Sequence, residues 1–138
     1  MKKAEGGRMK AEGGSEEPKK QPRDLRERTT EFALRVVRLY CALPKTAEAQ
    51  VLGKQALRSG TSVGAHYREA SCARSKKEFV SKLEGGLAEL EETAYWLELL
   101  AKAGIVSADR LQPLRDETDE LIRILVASAR TAKQDRNP

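Results

Sequence analysis

Apolar and small residues return every three or four positions along three long stretches of this 138-residue chain, and that rhythm limits what it can fold into more than any other feature. The first stretch steps through Leu25, Thr29, Phe32, Val36, Leu39 and Leu43. Another steps through Phe79, Leu83, Gly86, Leu90, Ala94, Leu97 and Ala101. A third follows Leu111, Leu114, Thr118, Leu121, Leu125 and Ser128, with Ile122, Val126 and Ala129 beside it. A helix turns once in about 3.6 residues, so this spacing keeps one stripe on one side, as in helices packed side by side in a bundle. With 4% aromatic and 34% charged residues, there is little material for a β-sandwich core.

The punctuation between the stripes sets the bounds. Helix 1 is expected from Asp24 to just before Pro44, which has no amide hydrogen to continue the ladder. Thr46 is a good N-cap for helix 2, whose stripe of Leu52, Ala56, Val63, Tyr67 and Ala70 is weaker. The run from Ser59 to Ala65 holds Gly60 and Gly64, each costing about 1 kcal/mol relative to Ala inside a helix. It marks either a bend or a place where a neighbouring backbone comes close. Ser75 and Glu78 have the capping-box form, in which each side chain bonds the other's amide and starts helix 3. Gly104 is a natural stop, and Ser107 opens helix 4.

Short connections at 44–45, 72–75 and 104–107 make an all-α, up-down antiparallel four-helix bundle the economical fold, over residues 24–132. The length suits one domain. Residues 1–23 lack apolar periodicity, carry the repeat Lys3-Ala-Glu-Gly-Gly7 and Lys10-Ala-Glu-Gly-Gly14, and include Pro18 and Pro22. They read as a disordered basic tail, and residues 133–138 as a disordered C-terminus. No apolar run is long enough to span a bilayer and none follows the N-terminal lysines as in a secretory signal, so a cytoplasmic location is expected. Cys41 and Cys72 lie in apolar helical contexts and read as buried free thiols.

Charge is unevenly placed. Residues 24–82 carry twelve basic and six acidic side chains, while residues 83–130 carry five basic and ten acidic. Such polarity suits a polyanionic partner or association between unlike faces of two copies. A catalytic constellation is not legible. The one histidine, His66, cannot build a metal cluster, and it reads as a structural or surface residue. Gly60-Thr-Ser-Val-Gly64 lacks the Lys-Ser/Thr of a phosphate-binding loop. Glu89, Glu91 and Glu92 read as solvated or paired. The chain is therefore expected to be non-enzymatic, with no cofactor and no metal.

Basic residues remain as the candidate functional set. Arg58, Arg68, Arg74, Lys76, Lys77 and Lys82 lie around the end of helix 2 and the start of helix 3, and Arg28, Arg35 and Arg38 on helix 1 would come near in an up-down bundle. Without interleaved aromatics, such a surface suits sequence-tolerant contact with an RNA or DNA backbone. The apolar arc of helix 3 is wider than one seam absorbs, so Tyr67, Tyr95, Trp96 and Leu99 are candidates for an oligomer interface.

Arg58-Ser-Gly-Thr-Ser-Val-Gly-Ala-His-Tyr-Arg-Glu-Ala70, Ala73-Arg-Ser-Lys-Lys-Glu-Phe79, Lys82-Leu83 and Glu92-Thr-Ala-Tyr-Trp-Leu-Glu-Leu-Leu100 together resemble a four-helix-bundle family. It is the family first named for reading frames inside intervening sequences of bacterial 23S ribosomal RNA genes. The resemblance covers about residues 25–130; His66 departs from it, where Asn is expected. Members are similar to the accessory protein of diversity-generating retroelements, a barrel-shaped homopentamer that binds nucleic acid and contacts a reverse transcriptase. The resemblance thus implies a ring-shaped homo-oligomer, a pentamer above others, with RNA or DNA as ligand. The alternative it implies is a scaffold that docks a partner enzyme such as a reverse transcriptase.

Overall fold

The computed structural model describes residues 25–135. Over them the chain forms α1 (Leu25–Ala42), α2 (Ala47–Ser71), α3 (Lys76–Lys102) and α4 (Ala108–Gln134), and none of the described residues is in a strand. Contacts between neighbours fix the directions. Tyr40 of α1 donates to Gln50 Oε1 of α2 at 2.8 Å, while Arg68 near the other end of α2 reaches back to Thr30. Ser59 of α2 meets Thr93 of α3, and Glu84 of α3 pairs with Lys133 of α4. Each helix therefore runs antiparallel to the one before it, and the fold is the expected all-α up-down bundle. Of the segments expected to be tails, only Lys133, Gln134 and Asp135 are among the described residues, the first two being the last of α4.

The caps work as their chemistry requires. Thr46, Ser75 and Ser107 each accept a hydrogen bond from the amide three residues on. The reciprocal half of the capping box differs from expectation: the Glu78 carboxylate accepts from the Arg74 amide at 3.1 Å, not from Ser75. At the end of α3, Gly104 sits at φ 73°, and the amides of Gly104 and Ile105 donate to the carbonyls of Ala101 and Leu100 at 3.0 Å each. That geometry needs a left-handed residue, which glycine supplies without strain. Pro113 lies inside α4 on its exposed side, near the helix start.

The core is a single column of Leu, Val, Ala and Phe side chains from all four helices, with Phe32, Val36, Val63, Leu90, Leu97, Leu100 and Leu121 fully buried. Burial of each large side chain stabilises the fold by about 1.5–3 kcal/mol. The α1 stripe lies where its periodicity puts it. On α3 the stripe shifts after Leu90: Thr93 and Leu100 are buried where Ala94 and Ala101 were expected. On α2 the buried positions are mostly small, including Ala49, Gly53, Ser59, Gly60 and Gly64, while Leu52 and Tyr67 are only half-buried. The helix runs unbroken through Ser59–Ala65, so the glycines serve close approach. A Cβ on Gly60 would stand 2.9 Å from Val36 Cγ2, and one on Gly64 would stand 3.1 Å from Thr29 Oγ1. The hydroxyls buried with them are satisfied. Thr93 gives its proton to the Glu89 carbonyl at 2.8 Å, which leaves Ser59 to donate to Thr93 Oγ1 across the α2–α3 seam at 2.6 Å.

The cysteines are a correction. Both are free, as expected, but both are exposed. Cys41 lies on the outward side of α1, two turns from exposed Leu34, and Cys72 caps the end of α2.

Candidate nucleic-acid interface

The antiparallel order gathers the start of α1, the end of α2, the start of α3 and the end of α4 at one end of the bundle. Each brings cations. Arg26 lies on the first turn of α1, Arg68 on the last turn of α2, Arg74 in the turn that follows, Lys76 and Lys77 on the first turn of α3, and Arg130 near the end of α4. None of these six forms an ion pair with a described residue. Arg68 donates instead to the Thr30 hydroxyl at 3.1 Å, and Lys76 Nζ donates to the Asp135 carbonyl. The nearby carboxylates are largely occupied: Glu69 by Lys82 at 3.3 Å, Glu84 by Lys133 at 2.6 Å, and Glu78 in its cap. What remains is a cationic end built by α2, α3 and α4, with Arg26 of α1 beside the end of α2 and next to Glu27, which pairs with no cation among the described residues.

The other arginines of the candidate set lie elsewhere. Arg28 is nearly buried, with 12% of its side chain accessible, and makes a two-pronged pair with Glu117 of α4: Nε to Oε2 at 3.1 Å and Nη2 to Oε1 at 2.8 Å. Its Nη1 is buried without a partner. Arg58 bridges Glu89 at 3.3 Å and Glu92 at 2.5 Å across α2 and α3, and the Trp96 indole also donates to Glu92. The Arg58 hydrogen bond holds the Glu92 carboxyl below the usual carboxylate range, with Trp96 helping. Both arginines are thus answered by carboxylates of a neighbouring helix, Arg28 nearly buried and Arg58 on the surface. Arg35 and Arg38 sit further along α1, facing α4. Of the nine cations expected to act together, Arg68, Arg74, Lys76, Lys77 and Lys82 share the basic end.

Arg130 was not legible as a member. It lies in a stretch whose overall balance is acidic, and only the topology carries the end of α4 alongside the start of α3. The aromatic candidates also divide. Tyr95, 52% exposed, packs its ring against Trp96 at 5.1 Å between centroids, and half-buried Leu99 follows one turn on. Tyr67 is near the opposite end of the bundle and packs against the core.

His66 lies between α2 and α3, its Nε2 3.9 Å from Glu89 and its Nδ1 3.9 Å from Glu69. Gly85 makes room for the ring, since a Cβ there would come within 2.8 Å of Nδ1. Among the described residues no three His, Cys, Asp or Glu side chains are placed to hold a metal, and no helix is long and apolar enough to cross a membrane.

Among curated proteins none matches this chain. A solved structure that it resembles is a protein of unknown function from the S23 ribosomal protein family of Bacteroides thetaiotaomicron VPI-5482. The two are 36% identical with a TM-score of 0.74, over 79% of this chain and 97% of that one. The profile of 23S rRNA-intervening sequence proteins matches residues 23–127, which takes in all of α1, α2 and α3 and most of α4. The chain belongs to the 23S rRNA-intervening sequence protein family.

Proposed function

We propose that this protein is a non-enzymatic binding protein that holds the phosphate backbone of RNA or DNA against its basic end. The observation that carries the reading is the group of six cations from four helices, Arg26, Arg68, Arg74, Lys76, Lys77 and Arg130, that meet no carboxylate among the described residues. Unpaired surface cations are the groups that phosphates displace counterions to reach, and they carry no base preference.

In this reading the protein acts as a homo-oligomer, a ring of five copies by the resemblance, in which each basic end is repeated around the axis. Exposed Tyr95, with half-buried Trp96 and Leu99 beside it, is the apolar surface that supports such an interface. Light scattering of the full chain tests it: a multiple of the monomer mass is expected, and a monomer at micromolar concentration removes the ring.

Electrophoretic mobility shift at low salt tests the ligand. Single-stranded RNA and duplex DNA are expected to shift with wild-type protein and to lose most of that shift with Arg74→Glu/Lys76→Glu/Lys77→Glu. Acidic residues are favourable at the first turn of a helix, so the triple variant should stay folded. No shift with any probe overturns the reading.

A further inference from the structure

Among the described residues, the seam between α1 and α4 is the loosest between adjacent helices of the bundle. Beyond the Arg28–Glu117 pair it opens, toward the end of α1 and the start of α4, into a groove of about 300 Å³. Its walls combine two chemistries. Leu39 and Ala42 of α1 and Val106, just before α4, give it apolar surface, while Arg35, Arg38 and Arg110 stand around it. Arg35 and Arg110 pair with no carboxylate among the described residues, and Arg38 only approaches Glu31 at 3.6 Å with both side chains more than half exposed. Such a loose exposed pair contributes little and is readily exchanged.

We propose that this groove docks a segment of a protein partner that presents a short apolar anchor flanked by Asp or Glu. The apolar walls would cover the anchor and the three guanidinium groups would take the carboxylates, which they match two-pronged. Charge complementarity and the mixed lining select this occupant. A nucleic-acid backbone would use the arginines and leave the apolar walls wet, and a purely apolar segment would leave three cations facing it. From Arg35 to Ala42 the groove runs along about two helical turns, roughly 10 Å, so it fits a short stretch of chain and not a whole domain.

The seam also gives the partner a direction. Past Arg35 and Pro113 the lining changes to Asp116, Glu117, Asp119 and Glu120, with Arg123. A longer segment would need its acidic part toward the end of α1 and its basic part toward the middle of α4.

Fluorescence anisotropy tests this with a fluorescein-labelled peptide, Glu-Glu-Leu-Phe-Glu-Gly-Lys-Lys, against the full-length protein. Binding is expected for that peptide and weaker binding for one with both aromatic and leucine anchors replaced by serine. Arg35→Glu/Arg38→Glu should weaken binding by about tenfold or more, the range of like-charge replacement at a recognition site. Ala42→Trp, at an exposed position, should block the groove while leaving the circular dichroism spectrum unchanged. Ala42→Trp, which leaves the charge unchanged, should not alter the mobility shift of RNA or DNA, so this proposal and the basic-end reading fail separately. Peptide binding that is absent, indifferent to its anchors, or lost only with the Arg74/Lys76/Lys77 variant would overturn the docking groove. So would an unlabelled single-stranded RNA that displaces the peptide from the groove.

Discussion

The two flanks of α1 are built on opposite plans. Toward α2 the contact surface is made of missing side chains: Val36 lies over Gly60 and Thr29 over Gly64, so the backbones come close and no water or ligand can enter. Toward α4 it is made of long side chains, with Arg28 reaching Glu117 over a seam that then opens between Arg35, Arg38 and Arg110. The closed flank contributes packing and leaves nothing free to bind. The open flank contributes one partly buried ion pair and leaves three cations available. Within one helix, then, small residues mark where the molecule is held together and long cations mark where it can hold something else.

Filling the closed flank should break this contrast most severely. Gly60→Leu gains about 1 kcal/mol of helix propensity, yet its side chain has nowhere to go against Val36. We expect a net loss of roughly 2 kcal/mol in urea denaturation, an overpacking cost of about 3 kcal/mol less the helix gain. A neutral or stabilising result would mean that α1 and α2 can move apart freely, as α1 and α4 already are.

The open flank should be more forgiving. Glu117→Ala leaves Arg28 nearly buried and unanswered and should cost about 1–3 kcal/mol. Arg28→Met with Glu117→Leu should recover most of that loss, because an apolar pair of similar volume avoids the desolvation of two charges. If the double variant is worse than the single one, the pair contributes more than its charges imply.

The smallest expected effect concerns the α2–α3 flank, where Arg58 holds the Glu92 carboxylate ionised below its usual range. A carboxyl with a lowered value in the folded state adds stability above the unfolded carboxylate range and loses it as the pH falls through the lowered value. Arg58→Gln should therefore be less stable than wild type at pH 7, by under about 1 kcal/mol given the exposure of the pair, and the gap should close in acid. A gap independent of pH would show that Arg58 acts by packing alone.

How much of this could be read beforehand follows the same division. The α1 stripe, the α4 stripe as far as Leu125 (Ala129 is buried where Ser128 was expected) and the caps at Thr46, Ser75 and Ser107 were legible, because periodicity and N-cap chemistry are local properties. The shift from Ala94 to Thr93 was not, because which residue faces inward on a wide arc depends on the neighbour, here Ser59 of α2. The small face of α2 was half legible: the glycines stood out, but a bend and a close contact look alike in sequence. Cys41 and Cys72 misled because apolar neighbours along the chain do not fix which side of the helix a residue takes.

The basic surface was legible as composition and only in part as a place. Arg58 and Arg28 are cations like the others until the fold puts Glu92 and Glu117 beside them. Arg130 joins only through topology, and Arg110 meets Arg35 and Arg38 only because the start of α4 lies beside the end of α1. Charge can be counted along a chain, but whether a charge is answered is a tertiary fact.

The salt dependence of duplex DNA binding tests the central claim most directly. Measured by fluorescence anisotropy over a salt series, the wild-type affinity should fall steeply, and Arg74→Gln/Lys76→Gln/Lys77→Gln should flatten the log–log slope by about one per phosphate contact removed. A slope that the triple variant leaves unchanged, or that Arg35→Gln/Arg38→Gln flattens equally, would contradict the assignment of the backbone contact to the basic end.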